Sequence, residues 1–152
     1  PPADAVWQPW WVRDLRGETP VVGHADTGPW NTLARGGTPV AFVDWETAGP
    51  MDAEWELAQT AWLHARLFDD DVAERDGLPP APVRAGLVAA VLDGYAAPRA
   101  WRERVVDRML DLAVLSARED VLEGLDRGVA WRVRSGAWMA RHRDLLRRAA
   151  CP

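Results

Sequence analysis

At 152 residues, 48% of them apolar and 27% charged, the chain has one domain's worth of ordinary globular sequence, enough to bury about 68–70% of its unfolded surface. Its net charge of −5 argues against nucleic acid as a main partner, since such proteins carry a basic face, and no apolar run approaches the ~20 residues of a membrane span. No stretch reads as a signal peptide and Cys151 is the lone cysteine, so the cytoplasm is the expected location.

In chain order, residues 1–17 hold Trp7, Trp10 and Trp11 around Pro9, which starts or breaks a helix. A short helix over 9–15, ended at Gly17, is expected. Its tryptophans belong in a core or, where uncovered, in a homodimer interface. Val21 and Val22 then lead into His24, Asp26 and Asn31, and a second apolar run, Val40 to Val43, delivers Asp44 and Glu46. Between the runs, Arg35-Gly36-Gly37-Thr38 is a turn of the kind that closes hairpins. Pairing across it sets Asn31 opposite positions 42–44, with Asp26 on the loop leading in. Two carboxylates and a carboxamide thus converge at the open end of one hairpin. Oxygen donors of this sort suit Mg²⁺, which takes one or two carboxylates plus substrate phosphates.

Gly49-Pro50-Met51 reads as a turn and Asp52 as the N-cap of a helix over 53–68, with Asp52, Glu54 and Glu56 complementing its dipole. Asp69-Asp70-Asp71 through Pro80 reads as an exposed loop. A second helix covers 82–96 with Pro82 in its first turn. Pro98 opens the longest periodic stretch, to about 126, with Trp101, Val105, Met109, Leu112, Leu115, Val121, Leu122 and Leu125 as its apolar stripe and Glu119, Asp120, Glu123 and Asp126 opposite, as a solvated face. Gly128 separates this from a last helix over 131–149. His64 and His142 have no second His or Cys at ligand spacing, which favours structural roles. The sum is an α+β chain, mostly α, with one short hairpin and four to five helices.

His24-x-Asp26-x-x-x-x-Asn31 followed by Asp44 has the spacing of the protein-kinase catalytic loop and its downstream metal-binding Asp. The stretch FVDWETAGPMDAEWELA resembles the aminoglycoside phosphotransferase and choline kinase-like family, which shows a strand ending in I-D-W-E, a Gly/Asp/Pro-rich turn and a helix opening with D-L-A. The resemblance covers residues 20–96 well and the rest loosely. It departs at Ala25, where the family usually has Gly, at Gly28-Pro29-Trp30 in place of H-P-G, and at Glu56 in place of Asp.

The resemblance implies a kinase-like C-terminal lobe: residues 1–19 as the end of a preceding helix, 20–46 as catalytic loop and metal hairpin, 47–152 as a helical subdomain. It implies that Asp26 is the base or orienting group for a small-molecule hydroxyl, that His24 holds the loop, and that Asn31 and Asp44 bind Mg²⁺ on the phosphates of ATP. Glu46 and Glu56 become supporting groups, Glu56 by buttressing the loop. Glu119, Asp120 and Glu123 become candidates for contacting a cationic substrate. All 18 basic residues are Arg, so neither a P-loop Lys nor a strand Lys is present. A nucleotide-binding N-lobe is therefore expected as the partner, with these residues alone inactive. The alternative is a non-catalytic binding or assembly module.

Overall fold

The computed structural model describes residues 4–7, 9–15 and 17–152. Residues 1–3, Gln8 and Arg16 lie outside these, and with them part of the expected N-terminal helix. In place of that helix the described residues form one 3-10 turn, Trp11–Asp14. Strand β1, Pro20–Gly23, is followed by a second 3-10 turn, Pro29–Asn31, and by β2, Thr32–Arg35, β3, Thr38–Phe42, and β4, Gly49–Asp52. Helices α1, Ala53–His64; α2, Asp70–Arg75; α3, Ala81–Gly94; α4, Arg99–Leu122; α5, Asp126–Arg141; and α6, Arg143–Ala150, complete the chain. The fold is α+β and mostly α, as expected, but with two antiparallel strand pairs rather than one hairpin and six α-helices rather than four or five among the described residues.

The expected hairpin is β2–β3. Gly36 and Gly37 take φ of 57° and 81°, the left-handed pair that a primed two-residue turn requires and glycine supplies without strain. Thr32 pairs with Phe42, and the Val43 N–H donates to the Asn31 carbonyl at 3.0 Å, so Asn31 faces the predicted span. The additional pair joins β1 to β4, with Pro20 opposite Asp52 and Val22 opposite Pro50. Gly49-Pro50 looked like a turn. A proline without an N–H is tolerated in a strand with a free edge, and a two-stranded sheet has only edges.

Asp52 caps α1 as expected: one carboxylate oxygen accepts from the Glu54 N–H at 3.0 Å, and the other accepts from the Thr19 N–H at 2.8 Å. Trp55, Ala58, Ala61 and Trp62 turn inward from α1, which packs on α3 and α4, while α4 packs on α5 and α3 on α6. Trp10 and Trp11 lie against this core, whereas Trp30 and Trp45 are exposed.

Three expectations along the helices fail for one reason, partners distant in sequence. The buried stripe of α4 keeps the helical period through Val105, Met109, Leu112 and Ser116 to Asp120, so Val121 and Leu122 are left 61% and 69% exposed, with Leu125 also outside. Asp120 is therefore not on a solvated face: it is buried against Arg132, 2.6 Å away. Gly128, expected as a break, lies within α5, where a Cβ would stand 2.4 Å from the Asp120 carboxylate. The last helix instead divides at His142 into α5 and α6.

Asp69-Asp70-Asp71 is not a loop but the cap and first turn of α2. Asp69 accepts from Arg141 at 2.8 Å and Arg134 at 3.1 Å, and Asp70 accepts from the Trp138 indole N–H at 2.6 Å. Burial pushes the Asp69 carboxyl up, but the hydrogen bonds from Arg141, the Asp70 amide and Arg134 outweigh it and hold it below its usual range. Arg84, only 2% exposed, joins the network beneath, 4.1 Å over the Trp138 ring and 2.8 Å from the Phe68 carbonyl.

Candidate functional site

Residues 24–31 leave β1 as a loop laid against α1, and a polar row on that helix holds it. Glu56, Thr60 and His64 stand four residues apart, which aligns them along one helical face. The Glu56 carboxylate accepts from the His24 N–H at 2.8 Å and the Ala25 N–H at 3.1 Å. The Thr60 hydroxyl donates to the Glu56 carbonyl at 2.8 Å, so the 2.6 Å bond between Thr27 and Thr60 runs from the Thr27 hydroxyl to that of Thr60. His64 Nε2 donates to the Thr27 carbonyl at 2.6 Å. Burial raises the Glu56 pKa, with the two backbone donors opposing it.

His24 is 2% exposed, and its proton position follows from its neighbours. Nε2 lies 2.7 Å from the Val43 carbonyl, which can only accept, while Nδ1 receives the Asp26 N–H at 3.3 Å. The ring is thus the neutral Nε2–H form, bridging the loop to the hairpin end. The Thr47 hydroxyl closes the same junction by donating to the His24 carbonyl at 2.9 Å.

Asp26 projects from this clamped loop, half-buried. Its Oδ2 accepts from Asn31 Nδ2 at 2.9 Å and from the Trp30 indole N–H at 3.1 Å, while Oδ1 accepts no hydrogen bond among the described residues. A second bond from Asn31 Nδ2 to the Asp26 carbonyl, also 2.9 Å, fixes the buried amide and leaves its Oδ1 without a hydrogen-bond donor among the described residues. Trp30 reaches Asp26 only because residue 28 is glycine: a Cβ there would meet the indole at 2.3 Å. Asp44 stands one residue beyond Val43, exposed, at φ 64°, with no hydrogen bond or ion pair among the described residues. Asp tolerates that left-handed backbone better than most residues.

The structure thus brings Asp26 and Asn31 into direct contact and sets Asp44 at the hairpin end that Asn31 faces. Among the described residues no three His, Cys, Asp or Glu side chains gather as a metal site. The donors expected for Mg²⁺ are of another composition, the free Oδ1 of Asn31 and the unpaired carboxylate of Asp44, and hard oxygen donors fit that ion.

Asp26 and Glu46 open onto a cavity of about 570 Å³. Its wall is aromatic, with Trp10, Trp30, Trp62, Phe68 and Trp131 among its lining. Of the other candidates, Glu119 and Glu123 line a separate cleft of about 640 Å³, and Asp120 is committed to Arg132. Sequence reasoning gave His64 a structural role without placing it at this loop, and gave none to Thr60, Trp30 or Trp131. The four-residue spacing of polar groups on an otherwise apolar helix was the available signal for the first two, and the bulky Trp30 in a loop position for the third.

No solved structure matches the chain. It is 43% identical over 159 residues to the trifolitoxin immunity protein of Rhizobium leguminosarum bv. trifolii, an alignment that takes in 98% of this chain and 61% of the relative. The chain thus spans under two thirds of that relative's length. The model of the phosphotransferase enzyme family matches residues 2–104, which include the clamped loop, the hairpin and α1. That match spans the aspartate loop and the hairpin beside it, and the chain, mostly α-helical as a kinase-like C-lobe is, belongs to the phosphotransferase enzyme family.

Proposed function

We propose that this chain is the catalytic and substrate lobe of an ATP-dependent phosphotransferase that modifies a hydroxyl of a small molecule. The observation that carries the reading is Asp26, whose Oδ2 is saturated by Asn31 and Trp30 while its Oδ1 is left for a proton. In the proposed reaction, the acceptor hydroxyl gives its proton to Asp26 Oδ1 as its oxygen bonds to the γ-phosphorus. The bond from that phosphorus to the bridging oxygen breaks, and ADP leaves with the electron pair. Asn31 Oδ1 and Asp44 are the residues that would hold Mg²⁺, whose chemistry is to neutralise phosphate charge. His24, Glu56, Thr60 and His64 keep Asp26 in place, which matters because such catalysis is mostly positioning and electrostatics.

The exposed apolar side chains of the hairpin, Leu33, Val40 and Phe42, suit a nucleotide and the nucleotide-binding lobe lying over them. The relative's name suggests the use: a phosphoryl group added to a toxic molecule's hydroxyl changes its charge and shape, and so confers immunity. Asp26→Asn in the complete protein should lower turnover about 10²–10⁴-fold, the usual worth of a general base. Unchanged turnover removes Asp26 from the chemistry and leaves a binding module as the better account.

A further inference from the structure

Helices α4 and α5 together turn a largely apolar face outward. We propose that two copies of this chain associate through that face, about a two-fold axis that crosses α4 beside Val114 and sets the two α4 helices antiparallel. The proposal stands apart from the phosphotransferase reading, because it draws on neither the catalytic loop nor the acceptor cavity. Both helices lie against the core on one side. On the other, Val114 is 69% exposed and Val133 55%, with Val121 uncovered beside them. Contiguous apolar surface of this kind marks an interaction site.

The face carries both a ridge and a groove. Between the two helices runs a groove of about 460 Å³, lined on the α5 side by the small residues Gly136, Ala137 and Ala140. The helices run antiparallel and close together: a Cβ on Gly136 would stand 3.3 Å from Ala113, and one on Gly128 2.4 Å from the Asp120 carboxylate. Those two approaches put Val114 level with Ser135. A two-fold axis at that level brings Val133 of one copy over Gly136 and Ala137 of the other, so a protruding valine meets small residues at both symmetry-related places. A surface that complements itself in this way is what an isologous dimer requires.

Charge points to a second copy as the occupant and sets its direction. Asp111 and Arg118 are exposed on α4, and neither has a hydrogen bond or ion pair among the described residues. They stand three residues before and four after Val114, two turns apart on one edge of the helix. Antiparallel pairing about Val114 therefore places Asp111 of each copy opposite Arg118 of the other. The result is two equivalent ion pairs at the rim of an apolar centre, as protein interfaces are built. Parallel pairing would instead set Asp111 against Asp111 and Arg118 against Arg118. The exposed Trp30 and Trp45 belong to neither helix and donate their indole N–H groups locally, to Asp26 and to the Phe42 carbonyl.

The test is analytical ultracentrifugation of the complete protein at micromolar concentration, where the wild type should sediment as a dimer. Asp111→Arg and Arg118→Asp should each weaken dimerisation by about tenfold or more, because each turns both ion pairs into like-charge contacts. An equimolar mixture of the two variants should recover the dimer, since opposite charges then face each other at both places. Val114→Asp, which puts a carboxylate at the apolar centre, should also weaken it. All three positions are exposed, so circular dichroism should show each variant as helical as the wild type. A monomeric wild type would overturn the proposal, since something other than a second copy then covers the face. So would a dimer that none of the three variants weakens, or a mixture of the two charge variants that stays monomeric.

Discussion

Ala25 holds the loop's tightest point at φ 64°, a left-handed backbone that costs an alanine about 1–2 kcal/mol. Its N–H is consumed by Glu56, so the conformation is imposed from α1. Ala25→Gly should relieve the strain at a chain-entropy cost of about 0.5–1 kcal/mol, a net gain of up to about 1 kcal/mol in chemical denaturation. A lower denaturation midpoint would show that the backbone there is unstrained. Glu56 supplies a pH test of the same clamp. Its pKa is raised in the folded state, so folding binds protons more readily than the unfolded chain does, and stability falls as pH rises from the ordinary glutamate range through the raised value. Glu56→Gln should abolish that slope in thermal melts. It should also cost about 1 kcal/mol, because its NH₂ must face one of the two donors. Trp30→Phe keeps the ring near Asp26 but deletes the N–H. Turnover should drop up to about tenfold with the KM for ATP unchanged, whereas an equal rate would mean that Asn31 alone orients the carboxylate.

Among the elements, α1 does two jobs from two faces. Trp55, Ala58 and Trp62 build the core, while Glu56, Thr60 and His64 grip the loop. Thr60→Val strips the acceptor from a buried Thr27 hydroxyl, so a loss of about 1–3 kcal/mol is expected. Helix α2 responds oppositely to Glu56 with pH. Asp69 sits below its usual pKa through Arg141 and Arg134, so its contribution is present above the ordinary aspartate range and disappears as pH falls below it. Melting temperature should therefore drop on acidification, and less so in Asp69→Asn. The elements legible in the sequence were those whose signals are local: the glycine turn, the Asp52 cap and the proline in the first turn of α3. What escaped was set from afar. Asp69 as a cap answers to Arg134 and Arg141, and Asp120 as an inward residue answers to Arg132 and to the space left by Gly128.

At the scale of the whole molecule, two strand pairs and a helical body place one loop between a hairpin and a cavity, and no helix of the described residues is long and apolar enough to cross a membrane. The placing of the proposed catalytic residues was legible because motif spacing and hairpin register both set Asp26, Asn31 and Asp44 toward one end of the hairpin. The cavity was not, because its wall is assembled from Trp10, Trp62, Phe68 and Trp131, which lie far apart in sequence and meet only in the folded chain. In the proposed function, the carboxamide of Asn31 and the carboxylate of Asp44 receive the cation that accompanies the nucleotide. Mn²⁺ with ATP, added to the ¹⁵N-labelled protein as a paramagnetic stand-in for Mg²⁺, tests it most directly. The amide signals of Asn31 and Asp44 should broaden first, and Asp44→Asn should suppress the effect. Broadening centred on Asp69–Asp71 instead, with the hairpin end untouched, would contradict it.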